Sequence, residues 1–316
     1  MQRYTKMVPQ RYDTAVALGC FDGVHLGHAQ VLKSALQGRR RALSPAVFTF
    51  AFGDGDCASA KRAKQLMSQS MKEKILCRMG FDSVYAVDFA SIRDMEPEIF
   101  VEKVLFRTLH AKEVFCGFNY HFGRGGKGDT MLLRTLCAAY GIRAQVSPAV
   151  LVGAAPVSST RIRTAVAQGD MSEAQTLLGR PFAVDFRVVQ GNRIGRLLGT
   201  PTINQPFPPS FILPRFGVYG SAVTIGGRRY HGVTNVGVKP TVGSDVPLAE
   251  TWIAGFHGDL YGKQVVVELL GFLRQEQKFE NLEALKKQIC LDAENAKEML
   301  DAMDSPVNIR LEALYK

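Results

Sequence analysis

The chain has 316 residues, 46% of them hydrophobic and 22% charged, with a mean hydropathy near zero. That composition excludes a disordered or fibrous protein, and the length exceeds one domain of about 100–200 residues, so two domains are expected. The net charge of +10 suits anionic partners, from phosphorylated small molecules to nucleic acid or an anionic membrane face. In chain order, residues 15–18 read as a short buried strand, followed by glycines and a helix over 26–37. A strand at 46–50, a helix at 65–79, a strand at 83–87 and a helix at 97–109 follow. Pro97 stands in the first turn of that last helix, where its missing N–H costs nothing. Then come a strand at 113–117, a helix at 131–140 stopped by Gly141, and a strand at 143–146. This alternation predicts an α/β domain built on a Rossmann-like parallel sheet covered on both faces.

Beyond about residue 182 the pattern changes to short β-rich runs at 183–189, 217–225, 231–236, 251–256 and 264–272, separated by Gly and Pro. Close spacing of this kind predicts a barrel or sandwich. A helix over 282–303, with apolar Leu285, Ile289 and Ala296, closes the chain. The boundary falls near residues 179–181, giving domains of 1–181 and 182–316. The basic clusters (38–41, 61–64, 286–287) are short and lack interleaved aromatics, so no nucleic-acid partner is expected. The six cysteines include no Cys-x-x-Cys pair, which excludes a zinc ribbon and suits a reducing compartment. No apolar run approaches the ~20 residues of a membrane span, and residues 1–6 do not open a signal peptide. A cytoplasmic protein without a membrane partner is expected, a monomer or a weak homo-oligomer.

The segment 19–28, G-C-F-D-G-V-H-L-G-H, carries the most chemistry. A strand ends, glycines permit a tight turn and a helix begins, which aims backbone N–H groups and the positive end of a helix dipole at one point, where an anion can sit. His25 and His28, three apart, can point to one side of the first turn and donate to phosphate oxygens. Gly27 removes a side chain where a nucleotide could approach. The P-loop pattern G-x-x-x-x-G-K-[ST] is absent.

This segment resembles the nucleotidylyltransferase superfamily, and later segments narrow the resemblance to the FAD synthetase half of prokaryotic bifunctional riboflavin kinase/FAD synthetases. Residues 117–123 with Gly128-Asp129 are similar to that family's G-x-[DN]-[FY]-x-F-G…G-[DN] segment, residues 157–163 (V-S-S-T-R-I-R) to its S-S-T-x-I-R motif, and residues 174–182 to its connector. The resemblance implies that Gly19, Phe21, Asp22, Gly23, His25, Gly27, His28, Asn119, Ser159, Thr160 and Arg163 bind ATP phosphates or the acceptor, with His25 and His28 catalytic. Ser158, Ser159 and Thr160 are good helix caps, and Arg163 can pair with phosphate through two N–H groups. Asn119 alone reads equally well as a turn residue. One departure stands out: the family's T-F-x-P-H-P-like segment is here T-F-A-F-G-D at 49–54, without the His-Pro pair.

The second half resembles the riboflavin kinase part of the same family. Residues 191–204, G-N-R-I-G-R-L-L-G-T-P-T-I-N, are similar to its signature G-x-x-x-G-R-x-L-G-x-P-T-x-N. Gly191, Gly195, Arg196, Gly199, Pro201 and Thr202 are thereby expected to cradle ATP phosphates. Thr202 and Asn204, on one side of a strand, supply hard oxygen ligands suited to Mg²⁺. Residues 216–219, 234–241, 250–253, 259–262 and 272–279 continue the resemblance, which spans roughly 16 to 300. It implies that Glu250 is the catalytic base that takes the proton of a primary hydroxyl attacking a γ-phosphate. Arg274 is either a flavin-phosphate ligand or a structural partner. Together the halves are expected to phosphorylate riboflavin to FMN and then adenylylate FMN to FAD, using ATP and Mg²⁺. The alternative is a riboflavin kinase whose adenylylating half is weak, motivated by the missing His-Pro.

Overall fold

The computed structural model describes residues 1–51, 63–191, 201–238 and 246–303. The chain divides into two compact units, Met1–Ala63 with Gln69–Ser158, and Lys64–Ser68 with Ser159–Lys316.

The first unit is organised by a six-stranded sheet: β1 (Gln2–Tyr4), β2 (Thr14–Leu18), β3 (Ser44–Phe50), β4 (Ser83–Val87), β5 (Ala111–Gly117) and β6 (Arg143–Ser147), in the order β1-β4-β3-β2-β5-β6. Every pairing is parallel. Residues of β2 are buried throughout, as expected for a strand covered on both faces, and its Val and Leu side chains each contribute roughly 1.5–3 kcal/mol by leaving water. The connecting helices are α1 (Leu26–Leu36), α2 (Gln69–Met79), α3 (Pro97–Ile99) and α4 (Thr130–Ala139). The order runs from β2 through β3 to β4 in one direction and from β5 to β6 in the other. Beside β2 lies the switch point where open α/β sheets bind ligands, outside the carboxyl ends of the strands. A two-stranded hairpin, β7 (Leu151–Val152) with β8 (Ala155–Pro156), completes the unit.

Two helices differ from the sequence expectation. The helix expected over 65–79 begins at Gln69. Gln65 instead uses its backbone groups on Ser210 O and Ile212 N, a pairing inside the second unit that a helical turn would forbid. The helix expected over 97–109 starts as α3 and widens into a π-helix over Phe100–Thr108. Its buried residues, Phe100, Val101, Val104, Leu105 and Leu109, return to one face at this wider period. The edge strand β1 had no periodic signal in its three residues.

In the second unit α5 (Ser159–Gln168) packs on α6 (Met171–Leu178), which also touches β9 (Phe182–Val184) and β14 (Val267–Arg274). The remaining strands are β10 (Thr202–Pro206), β11 (Gly217–Ile225), β12 (Arg228–Val238) and β13 (Pro247–Ile253). They form one antiparallel sheet in the order β10-β13-β12-β11-β14-β9. A single antiparallel bridge between Val189 and Asn204 brings the chain after β9 back to β10, so the sheet curls toward a barrel. Inside it, Thr234 donates to Ser221 Oγ at 2.8 Å and lies 2.9 Å from Thr251 Oγ1, a buried hydroxyl ladder. The strand expected at 251–256 lies at Pro247–Ile253, because Gly255 takes φ +67° and Phe256 turns back onto Ile253. The run expected at 183–189 is a strand only to Val184, after which Arg187 and Val189 pair singly.

The closing helix, α7 (Leu282–Met303), covers the outer face of this sheet with Ala293, Ala296 and Leu300. Arg274 at the end of β14 fixes it, donating from Nε and an Nη to the buried Asp292 carboxylate, which also accepts from Gln288.

Candidate functional sites

The turn after β2 is tightly determined. Phe21 and Val24 both take positive φ, +50° and +39°, a costly conformation for side-chain-bearing residues that persists only where the surrounding structure holds it. Their side chains are buried and serve as anchors. The Phe21 ring folds back over Gly19, where a Cβ would fall 2.9 Å from it, so Gly19 is required by its own loop. Asp22 and Gly23 are buried beside them.

His25 caps α1: His28 N–H donates to its Nδ1 at 3.2 Å. An Nδ1 that accepts leaves the proton of the neutral ring on Nε2, which then acts as a donor. The His25 and His28 rings stack 3.6 Å apart at 15°, and the Phe21 ring meets His28 edge-on at 5.3 Å. The two histidines are thus brought together as the spacing implied. Gly27 also has a reason inside the turn itself. A Cβ there would lie 3.2 Å from the His25 ring and 3.8 Å from Val157 O, so the missing side chain makes room for the histidine stack. Val157 leads into the Ser-Ser-Thr segment.

Asn119 is exposed on the loop after β5, where its carbonyl faces His121 Nδ1 at 3.1 Å. In the same motif Gly128 accommodates the Phe122 ring, and Asp129 caps α4 by accepting from Leu132 N–H at 2.8 Å. Ser159 and Thr160 begin α5 in the second unit. Arg163, one turn further on, donates from Nε to Lys64 O.

In the second unit the sheet register gathers the candidates. Asn204 lies opposite Glu250 on β13, and Glu250 lies opposite Asn235 on β12. Thr202, Asn204, Glu250, Trp252 and Asn235 therefore share the outer face. Thr202 donates its hydroxyl to Glu250 Oε1 at 3.0 Å. Asn235 donates to Glu276 at 2.7 Å. At Gly191 a Cβ would fall 2.5 Å from Asn204 Nδ2, so that glycine admits the Asn204 amide. Pro201 directly precedes β10. Gly195, Arg196 and Gly199 lie outside the described residues, as do Phe52, Gly53 and Asp54. Of the two roles open for Arg274, its forked bond to Asp292 fits the structural one.

No group of three or more His, Cys, Asp or Glu side chains able to hold a metal occurs among the described residues. Nor is any helix among them long and apolar enough to cross a membrane.

One unit is a parallel α/β sheet with a histidine-capped helix start after its first long strand, the other a curled antiparallel sheet with a Thr–Glu pair on its outer face, and together they have the parts expected of a two-site nucleotide-dependent transferase. Comparison with known proteins gives the particular family. Residues 8–161 match the FAD synthetase family and residues 178–300 the riboflavin kinase family. The Listeria monocytogenes bifunctional riboflavin kinase/FMN adenylyltransferase is 32% identical over 288 residues, covering 89% of this chain and 91% of the relative. The Escherichia coli protein of the same description is 33% identical, covering 90% and 91%. A Streptococcus pneumoniae crystal structure described as a macrolide-efflux protein superposes with a TM-score of 0.81 at 28% identity, covering 93% of this chain and 98% of that one. The chain belongs to the family of bifunctional riboflavin kinase/FMN adenylyltransferases, and both of the family's halves are present in it. It phosphorylates riboflavin to FMN and adenylylates FMN to FAD, with ATP as co-substrate of both steps.

Lys72 was missed in the sequence. It is fully buried on α2, with Nζ 3.0 Å from Phe50 O and 3.4 Å from both Cys20 O and Thr49 Oγ1. The signal was its spacing. Lys72 stands four residues before buried Leu76 and beside buried Met71, inside the apolar stripe of α2, though the run M-K-E-K reads as a solvated face.

Proposed function

We propose that adenylyl transfer takes place at the turn 19–28 and phosphorylation on the outer face of β10 and β13, with residues 1–181 and 182–316 as the two functional domains. The Thr202–Glu250 hydrogen bond carries the kinase assignment. It fixes the Glu250 carboxylate beside the start of β10, where that carboxylate accepts the proton of the ribityl primary hydroxyl as the hydroxyl oxygen attacks the γ-phosphorus and the bond to the β-phosphate oxygen breaks. Gly191, Gly195, Arg196, Gly199, Pro201 and Thr202 cradle the phosphates. The oxygens of Thr202 and Asn204 suit Mg²⁺, and with so few protein donors an ion there would rest chiefly on nucleotide phosphates and water. When bound, it neutralises charge on the phosphates.

In the adenylylating half the FMN phosphate oxygen attacks the α-phosphorus of ATP and pyrophosphate leaves. No side chain needs to become a nucleophile, so positioning and charge stabilisation suffice. His25, through Nε2–H, and His28 donate to the phosphates at the amino end of α1. Backbone from Gly19 to Gly23 lines the same place. Ser159, Thr160 and Arg163 bind nucleotide phosphate at the start of α5, and Asn119 orients the acceptor. The enzyme works in the cytoplasm as a monomer or weak homo-oligomer, without nucleic-acid or membrane partners. The thiols of Cys77, Cys116, Cys137 and Cys290 support that compartment.

The test is Glu250→Gln, which keeps the shape and an oxygen acceptor for Thr202. The kcat of riboflavin phosphorylation should fall on the order of 10²–10⁴-fold while riboflavin binding persists. Turnover near the parent value would refute Glu250 as the base.

A further inference from the structure

We propose that Lys72 is a positioning residue of the adenylylating site, acting through the turn that carries His25 and His28. Removing an ammonium from water costs several kcal/mol unless its donors are satisfied, so a lysine with no exposure at all is held there by what it binds. Its described acceptors all lie at the carboxyl ends of two neighbouring strands. Phe50 O and Thr49 Oγ1 belong to β3, and Cys20 O to the turn after β2. Thr49 strengthens the same joint by donating its hydroxyl to Cys20 O at 2.9 Å.

Cys20 is the residue whose carbonyl precedes Phe21, the first of the two side-chain-bearing residues of this turn with positive φ. The orientation of the Cys20–Phe21 peptide determines whether the chain can enter that conformation. Two donors on one carbonyl, from Lys72 and Thr49, fix it. The turn then delivers His25 to the cap position and His28 to the stack. The conformational cost of Phe21 and Val24 is thus offset by a buried clamp at the carboxyl ends of β2 and β3. Misplacing a phosphate-binding group by about 1 Å can cost on the order of 10²-fold in rate.

This inference rests on placing adenylyl transfer at the turn 19–28, so the experiment carries a reference for that placement. Full-length Lys72→Met, Thr49→Val and His28→Ala are each assayed for FAD formation from FMN and ATP, with kcat and KM resolved, and for riboflavin phosphorylation. Lys72→Met should lower kcat for FAD formation on the order of 10²-fold with KM for ATP little changed and riboflavin phosphorylation retained. Thr49→Val, isosteric in a buried strand, should lower the same kcat by a smaller factor, on the order of 10-fold. If Lys72→Met fails to fold, Thr49→Val decides alone: an unchanged kcat overturns the proposal. A folded Lys72→Met with parent kcat also overturns it, as does a loss confined to KM. Full activity in His28→Ala would instead remove the site assignment beneath it.

Discussion

The two units hold their chemistry in different ways. In the parallel unit the proposed site is nearly continuous in sequence: a strand ends at Leu18, a short turn follows, and a helix begins at Leu26 with its histidines in place. In the antiparallel unit the pair Thr202–Glu250 joins residues 48 apart, and only the strand register makes them neighbours. The physical reason lies in the connections. A parallel strand must leave the sheet through a turn into a helix, and the start of that helix is where an anion can sit. An antiparallel sheet places function across strands, where side chains on one face meet at right angles to the chain. Rigidity therefore comes from different sources, a buried clamp behind a strained turn in one unit and a register sealed by a covering helix in the other.

The largest stability effect should come from breaking that seal. Asp292→Ala would strand the Arg274 guanidinium, four-fifths buried, and remove the acceptor of Gln288. A loss of roughly 3–5 kcal/mol is expected, as for other broken buried pairs. It is to be measured as denaturant unfolding followed by Trp252, the one tryptophan of the chain, which packs in the cluster beneath α7. Unchanged unfolding with a weakened affinity for riboflavin would return Arg274 to a flavin-binding role and undo the contrast drawn here.

A smaller effect should follow in the first unit. Gly19→Ala sets a methyl 2.9 Å from the Phe21 ring, so the ring or the turn must shift, at roughly 1–3 kcal/mol. With adenylyl transfer proposed at this turn, FAD formation should fall while riboflavin phosphorylation holds, which assays of both steps on one preparation would reveal. Equal loss of both would mean that the two sites are not built independently.

Much of this was legible because it is local. The strand at 83–87 and the strand at 217–225 coincide with their expected bounds, since both are apolar runs closed by turn residues. The histidine pair was legible from spacing and the helix start. Other features depend on partners distant in sequence. Gln65 leaves its expected helix for Ser210 and Ile212, and Gly27 leaves room for the His25 ring. Lys72 was hidden because residue type was a poor guide to burial there. The Thr202–Glu250 contact could be reached only by resemblance, since no local period links two strands so far apart.

The central claim is that two independent sites act in succession. It is tested most directly by complementation. Glu250→Gln and His28→Ala proteins are each incubated with riboflavin, ATP and Mg²⁺, separately and mixed, and the flavins are separated chromatographically. Glu250→Gln should yield almost no FMN or FAD yet convert added FMN to FAD, His28→Ala should accumulate FMN, and the mixture should make FAD from riboflavin. A single substitution that abolishes both steps, or a mixture that stops at FMN, would contradict the account.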